Sequence, residues 1–216
     1  MWDPAVYAAV EGKLGAGFED EPEKLRGLDV LTVNHARSLD GISACRDLRI
    51  LVLSGCELKG LDELSSLTSL GLLSVSDCAV DSIEAIGHTG VHTVHIQRSR
   101  VTDISTLLQC SQLMEVKLDG TDLSDDAYET VIPGLRKSGC YLTFPDETER
   151  ELTSLLRQSG MLVNYYKRGT DYRLCRPGLS LSERPEVNHP VISPEELREM
   201  LSTEPAQVPT LFERSL

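Results

Sequence analysis

Apolar residues recur along the chain as a triplet of the form LxxLxL, and the triplet is repeated five times. The steps between the first residues of successive triplets are 20, 22, 21 and 22 residues. The triplets are Leu28/Leu31/Val33, Leu48/Leu51/Leu53, Leu70/Leu73/Val75, Val91/Val94/Ile96 and Leu113/Val116/Leu118. Self-similarity at a fixed period of roughly 20 to 50 residues is typical of solenoids. The pattern therefore predicts five stacked coils, each with one strand that turns its apolar side to a shared core.

Further apolar residues recur at fixed distances after the triplets. They are Leu58/Leu61, Val80/Ile83 and Val101/Ile104, followed by Ala44, Leu64, Ile86 and Leu107. Over about residues 25–144 the columns resemble the leucine-rich repeat in its short form, LxxLxxLxLxxN/CxLxxIxxL. The segments Val80–Ile83 and Val101–Ile104 are similar to the turn of the 22-residue repeats found in internalins and related bacterial proteins. The resemblance implies an α/β solenoid, a right-handed β-α superhelix with a parallel concave sheet of five to six strands. It implies a binding role without naming a partner.

One column of the repeat contains two cysteines. The position five residues after the middle anchor of each triplet holds Ala36, Cys56, Cys78, Ser99 and Thr121. In the leucine-rich repeat this position faces inward and usually holds Asn or Cys, which meets backbone groups where the chain leaves the strand. We expect Cys56 and Cys78 to be core thiols about 5 Å apart on adjacent coils. A redox pair or metal site is the alternative, although a buried neutral thiol is a poor nucleophile.

Both ends of the solenoid should carry other elements. Residues 1–24 are expected to form an N-terminal cap with a helix over Pro4–Leu14, and residues 25–144 the repeats. The sixth coil is irregular: a helix should run from Asp125 to about Gly139, with Pro133 breaking or kinking it, before a strand at Cys140–Phe144.

The C-terminal third predicts a helix, a hairpin and a tail. In residues 145–178 a helix capped by Asp146 precedes a hairpin of Met161–Tyr166 and Asp171–Cys175, joined by a Lys-Arg-Gly-Thr turn. This part either covers the last edge of the solenoid or forms a small α+β appendage. The tail, residues 179–216, contains a capping box that starts a short helix at 193–201. That helix docks on this chain or on another.

Composition narrows the class of partner. The formal net charge is −13, and an acidic surface repels phosphate backbones, so we expect no nucleic-acid ligand. No apolar run of about 18 residues is present, so we expect no membrane span. The N-terminus makes a poor signal peptide. The six cysteines form no CxxC pair, which indicates reduced thiols in a cytoplasmic, bacterial-style protein.

Candidate chemistry is sparse. Glycine-rich phosphate loops, GxSxG and HExxH are absent, so we expect no enzyme, no cofactor and no metal. His88, His92 and His95 are close in sequence, but His92 and His95 should point to opposite faces of a strand. Tyr165, Tyr166 and Tyr172 alternate with Lys and Arg. This alternation fits the packing of the hairpin, stacking on nucleic acid, or contact with an acidic partner or the protein's own tail.

The concave face is the predicted binding surface. Its N-terminal half offers an apolar strip, and its C-terminal half is polar. The predicted contact residues are Val30, Thr32, Ile50, Val52, Leu72, Ser74, His95, Gln97 and Lys117. An exposed apolar patch with a polar rim is typical of protein-binding surfaces, although a cap or tail segment of the chain could also cover it.

The function predicted is therefore non-enzymatic binding of a protein partner by a monomer or weak oligomer. Two alternatives stay open. One is an acidic inhibitor or immunity protein of a basic effector, which the net charge suggests. The other, from a different class, is an enzyme with an unrecognised site in the C-terminal appendage.

Overall fold

A computed structural model describes residues 1–180, 182 and 184–213. The remaining positions of the predicted 179–216 tail lie outside the described residues. Six parallel strands follow one another in chain order and form one sheet. They are β1 (Val30–Asn34), β2 (Ile50–Ser54), β3 (Leu72–Ser76), β4 (Thr93–Gln97), β5 (Glu115–Lys117) and β6 (Tyr141–Thr143). The predicted α/β solenoid with a parallel sheet is confirmed.

The register of the sheet follows the repeat. The middle anchors Leu31, Leu51, Leu73 and Val94 pair in sequence across β1 to β4, and each is fully buried. They face a continuous hydrophobic core that runs the length of the solenoid. Because side chains alternate across a strand, the residues between the anchors are turned to the concave side.

The convex side is built from short turns. In the first coils the returning segments are 3-10 helices of three to five residues: Ile42–Ala44, Asp62–Ser66, Glu84–His88 and Ser105–Gln109. Only the longer last coil holds an α-helix, α3 (Ile132–Lys137), after a π-turn at Ala127–Val131. The helical backbone is continuous from Asp125 to Lys137, and Pro133 lies just after its π-turn. Proline has no N–H to donate, and the wider turn before it accommodates the missing bond. The predicted break or kink at Pro133 therefore takes the form of a change from π-helical to α-helical backbone, which occurs just before this proline.

Two helices precede β1. Helix α1 (Pro4–Leu14) buries Val6 and Val10 in the solenoid core, and α2 (Pro22–Arg26) leads into the first strand. The Asp3 carboxylate accepts from the backbone N–H groups of Ala5 and Val6 at the start of α1. Its second oxygen accepts from those of Arg37 and Ser38, at 3.2 and 3.1 Å. One buried side chain therefore caps α1 and ties it to the loop after β1.

A helix and a hairpin follow the sheet. Helix α4 (Glu147–Gln158) starts with a capping box between Asp146 and Glu149. Strands β7 (Asn164–Arg168) and β8 (Asp171–Cys175) pair antiparallel. The predicted bounds of the first strand, Met161–Tyr166, and the predicted four-residue turn are wrong. The turn is the pair Gly169–Thr170, and the positive φ of Gly169, 62°, suits a tight two-residue connection.

The tail packs against this helix and hairpin. Helix α5 (Pro194–Thr203) begins at the predicted capping box of Ser193 and Glu196 and packs on α4. Arg198 of α5 bonds Glu151 of α4 at 2.7 Å. A second hydrophobic core, called here the C-terminal core, joins all these elements; it contains Leu152, Leu156, Val163, Tyr165, Leu174, Ile192, Leu197 and Val208. The helix, hairpin and tail helix thus form one unit, the C-terminal unit, and the tail helix docks on this chain.

The C-terminal unit lies along the ends of the strands. The residue directly after each of β1 to β4 has a positive φ, as does Gly120, three residues after β5. We call this row the exit ridge: His35, Gly55, Asp77, Arg98 and Gly120. The Asn164 side chain donates to the carbonyls of Ser99 and Gly120, both at 2.7 Å. Further along, the N–H of Gly178 bonds the Asp77 carbonyl and that of Ser180 bonds the Gly55 carbonyl. The unit therefore covers the exit ridge rather than the concave columns.

Two glycines of the exit ridge permit this close approach. A Cβ atom at Gly55 would lie 2.8 Å from the Cβ of Ser180, and one at Gly120 would lie 2.8 Å from the Cβ of Tyr166. Both glycines also have positive φ, which side chains disfavour. Within the described residues, no helix has the length and hydrophobicity needed to cross a membrane.

Candidate functional site

The predicted apolar strip forms a continuous patch on the concave face. Val30, Ile50 and Leu72 are paired in register across β1, β2 and β3. Val52 lies two residues along β2 and pairs with Thr32 and Ser74. Adjacent strands are about 4.8 Å apart, so the three paired side chains span about 10 Å. We call these four residues, Val30, Ile50, Val52 and Leu72, the apolar strip.

The apolar strip lies outside both hydrophobic cores. All four side chains are partly exposed, and none is among the residues that form or pack against either core. The two predicted covering segments lie elsewhere: α1 contributes Val6 and Val10 to the solenoid core, and α5 packs on α4 and the segment after it. The strip is thus left available to solvent in the described part of the chain.

The C-terminal half of the concave face is polar and internally paired. Glu115 bonds Lys117 at 2.6 Å and His95 at 3.3 Å. The Lys117 ammonium, helped by His95, lowers the pKa of the Glu115 carboxyl. Gln97 donates to Asp119 at 2.8 Å, and Thr143 donates to the same carboxylate at 2.9 Å. Glu115 is thus paired with a cation of its own strand, and the Asp119 carboxylate is held by two neutral donors from the neighbouring strands.

The predicted contact residues are all on this face. Thr32 is exposed and the other eight are partly exposed. Ser74, His95 and Lys117 are consecutive partners in one column, and Gln97 pairs with Ser76 in the next. The structure therefore brings the predicted set together as two regions, one apolar and one polar.

A buried polar cluster, absent from the predicted set, joins the exit ridge to the C-terminal unit. The Tyr166 hydroxyl is 2.9 Å from Nδ1 of His189, and Nε2 of His189 is 3.5 Å from Asp77. Asp77 is also bonded twice by Arg98. Burial, and then the Arg98 charge, lower the pKa of His189 to about 3, so the ring is neutral. The sequence gives no sign of this cluster, since the loop that carries His189 has no periodic pattern.

The tyrosines and histidines singled out in the sequence are accounted for by packing and local hydrogen bonds. Tyr165 and Tyr166 are buried, and the Tyr165 ring stacks on Tyr172 with centroids 5.3 Å apart, so hairpin packing accounts for these rings. His92 contacts Thr93 through Nδ1 at 3.1 Å. Within the described residues, no group of three or more His, Cys, Asp and Glu side chains could hold a metal ion.

The cysteine column faces the core. Cys56 and Cys78 are fully buried, and the backbone N–H of Cys56 donates to the Cys78 sulfur at 3.3 Å. Each thiol also contacts a carbonyl at the end of its own strand, that of Ser54 or Ser76. Further along the column the hydroxyl of Thr121 donates to the Ile96 carbonyl at 2.7 Å. Cys56, Cys78 and Thr121 thus pair backbone groups at the strand ends, whereas Ala36 and Ser99 do not.

Comparisons with known proteins give a fold. No family model matches the chain, and no curated protein matches its sequence. The crystal structure of internalin C2 from Listeria monocytogenes has a TM-score of 0.58 at 22% identity, over 74% of this chain and 72% of that chain. Another internalin of that bacterium, InlF, has a TM-score of 0.39 at 15% identity, over 71% of this chain and 60% of that chain. A leucine-rich-repeat protein of Leptospira interrogans has a TM-score of 0.49 at 23% identity, over 56% and 32% of the two chains. The repeat pattern, the sheet and the internalin C2 likeness together show a leucine-rich-repeat solenoid.

Proposed function

We propose that this leucine-rich-repeat protein is a non-enzymatic recognition module, and that it binds a protein partner through the apolar strip on its concave face. The observation that carries the proposal is that four apolar side chains lie together on the sheet yet belong to neither core. Fully burying such a side chain is worth about 1.5–3 kcal/mol relative to water. Contact with a partner would recover the part of this burial that the folded chain leaves unused.

The surroundings of the strip favour a partner with an apolar centre and a polar rim. Its neighbours in the same columns are uncharged: Thr32, Asn34, Ser54, Ser74 and Ser76. Such groups can bond to a partner's backbone or side chains at the rim of an interface. A central apolar cluster with a polar border is also where most of the binding energy of an interface is concentrated.

A double substitution tests the proposal. Ile50→Asp with Leu72→Asp places two charges in the strip without touching the core, so the circular-dichroism spectrum should remain that of the folded parent. The two carboxylates are paired in register, so the melting temperature should fall modestly. Capture of the partner from the native source should be lost. Val187→Asp, at a residue that is 62% exposed on the C-terminal unit, is the matched control and should still capture it. If the double variant folds and binds with unchanged affinity, the strip is not the binding surface.

The acidic-inhibitor alternative differs in its salt dependence. The net charge of −13 would steer a basic effector, and such binding weakens steeply as ionic strength rises. Binding through the uncharged strip should change little between low and high salt.

The proposal also includes a reducing compartment such as the cytoplasm. It is supported by the six cysteines, which are all free.

A further inference from the structure

The C-terminal unit carries a groove that the concave-face proposal does not use. It lies between α5 and the 3-10 segment Pro205–Phe212 and encloses a cavity of about 410 Å³. Glu196, Glu199, Met200 and Thr203 of α5 line it, at a spacing that places them on one face of the helix. Leu197 is turned the other way, into the C-terminal core.

The floor of the groove is apolar and open. Val191, Ile192 and Met200 line it. Ile192 is buried and Met200 partly exposed, while the Val191 side chain is 59% exposed. A valine left this open beside other apolar groups would gain from contact with an apolar side chain of another molecule.

The rim of the groove is acidic. Glu196, Glu199 and Glu204 line it, and no Lys or Arg does. Among the described residues, none of these three glutamates takes part in a salt bridge. Arg198, the one cation of α5, is directed away from the groove and paired with Glu151 of α4.

Two of these glutamates lie at the C-terminal end of α5, where their negative charge adds to that of the helix dipole. Glu199 and Glu204 lie in the last turns and at the C-cap of α5, and the last turn holds no basic residue. The C-terminal end of a helix carries a partial negative charge that favours cations. The two carboxylates therefore add to a negative field, and neither has a cationic partner among the described residues, although Gln207 donates to Glu204. A cation brought by another molecule would complement this field.

We propose that this groove is a second binding surface, and that it takes a basic amphipathic peptide segment of a partner protein. One or two apolar side chains of the segment would rest on Val191 and Met200, and its Lys or Arg side chains would meet Glu199 and Glu204. The two features select this chemistry together. A purely apolar segment would leave the carboxylates uncompensated, and a purely basic one would leave Val191 in water.

Methionine signals offer a site-resolved test. The chain has four methionines; Met200 lines the groove, whereas Met114 is 62% exposed on the solenoid. The full chain is labelled with ¹³C at the methionine methyls and titrated with a synthetic helical peptide of Leu and Lys, with Leu at i, i+4 spacing. The Met200 signal should shift and the Met114 signal should not. A peptide with Leu replaced by Ser, and one with Lys replaced by Glu, should each leave Met200 unshifted. Equal shifts at both methionines, or none at Met200 up to about 1 mM peptide, would overturn the proposal.

Replacing glutamates by glutamine distinguishes binding in the groove from a general attraction of the basic peptide to an acidic protein. Glu199→Gln with Glu204→Gln should weaken binding of the Leu/Lys peptide at least about tenfold at low salt. Glu129→Gln with Glu195→Gln removes the same charge from two exposed glutamates outside the groove and should leave binding unchanged. Equal losses in the two double variants would show non-specific attraction and refute the groove. Ile50→Asp with Leu72→Asp should leave this binding intact, so failure of one surface is distinguishable from failure of the other.

Discussion

Asp77 and Arg98 form a two-point ion pair between neighbouring coils of the solenoid. Nε of Arg98 lies 2.8 Å from Oδ1 of Asp77, and Nη2 lies 2.9 Å from Oδ2. Both residues hold the same place on the exit ridge, with φ of 57° and 51°. Only 3% of the Asp77 side chain and 13% of the Arg98 side chain are exposed. With His189 and Tyr166 beside them, the pair anchors the C-terminal unit to the solenoid.

The first prediction concerns this pair. Burial alone lowers the pKa of Arg98, but the Asp77 carboxylate more than offsets it, so the pKa is raised and the guanidinium stays charged. Asp77→Asn leaves that charge buried without an anion, and the free energy of unfolding should fall by about 3–5 kcal/mol. Urea denaturation measures it. Glu23→Gln is the control, since its pair with Arg26 is largely exposed and should contribute less than about 1 kcal/mol. Similar losses in both variants would contradict the prediction.

The second prediction contrasts two adjacent leucines. Leu73 is fully buried and Leu72 is partly exposed on the concave face. Leu73→Ala should lower the free energy of unfolding by about 2–5 kcal/mol because it leaves a cavity in the core. Leu72→Ala should lower it by only about 0.5 kcal/mol, as surface changes do. Chemical denaturation of both variants gives the comparison, and a reversed order would mean that the register is off by one residue.

The third prediction concerns thiol reactivity. Cys56 and Cys78 are fully buried, and the pKa of Cys78 is raised well above its usual value by its hydrogen bond with Cys56 and by burial. Both should resist iodoacetamide under native conditions, because burial keeps the reagent away from either sulfur. The hydrogen bond with Cys78 lowers the pKa of Cys56, so burial alone protects that thiol. Cys110, which is partly exposed, should be alkylated first. Mass spectrometry of the digested protein reads each site, and all six cysteines should react in denaturant. Rapid native labelling of Cys56 and Cys78 would refute the inward placement.

The fourth prediction concerns the protonation of Glu149 and the way stability depends on pH. Burial raises the pKa of Glu149 above the usual 4.5, although its carboxylate accepts from the backbone N–H groups of Asp146 and Lys167. The folded state therefore binds this proton more tightly than the unfolded state, and the associated stability is present below pH 4.5 and is lost as the pH rises through the folded pKa. A ¹³C titration of the glutamate carboxyls should show Glu149 titrating above the partly exposed Glu115, whose pKa is lowered by Lys117. A Glu149 midpoint at or below 4.5 would contradict this.

Several local features could be predicted because each depends on residues close in sequence. The capping boxes at Asp146 and Ser193 fix the starts of α4 and α5, since cap and partner are three residues apart. The predicted first strand of the hairpin is wrong because Met161–Val163 is as apolar as a strand, and only the Gly169 turn decides where pairing begins. The apolar strip could be predicted as a face of the sheet, because it alternates with the anchors. Its binding role stays a prediction.

The coils, the register and the inward cysteine column all follow from the spacing of residues along the chain. A slip of one residue would turn every anchor such as Leu51 or Leu73 out of the core, so the period of the apolar residues admits only one arrangement. Three features become visible only in the folded chain: the docking of the C-terminal unit, the contacts of Asp77 with Arg98 and His189, and the acidic groove between α5 and the segment after it. These contacts join segments distant in the chain, and their geometry depends on the path of the whole backbone, which leaves no periodic trace in the residues themselves.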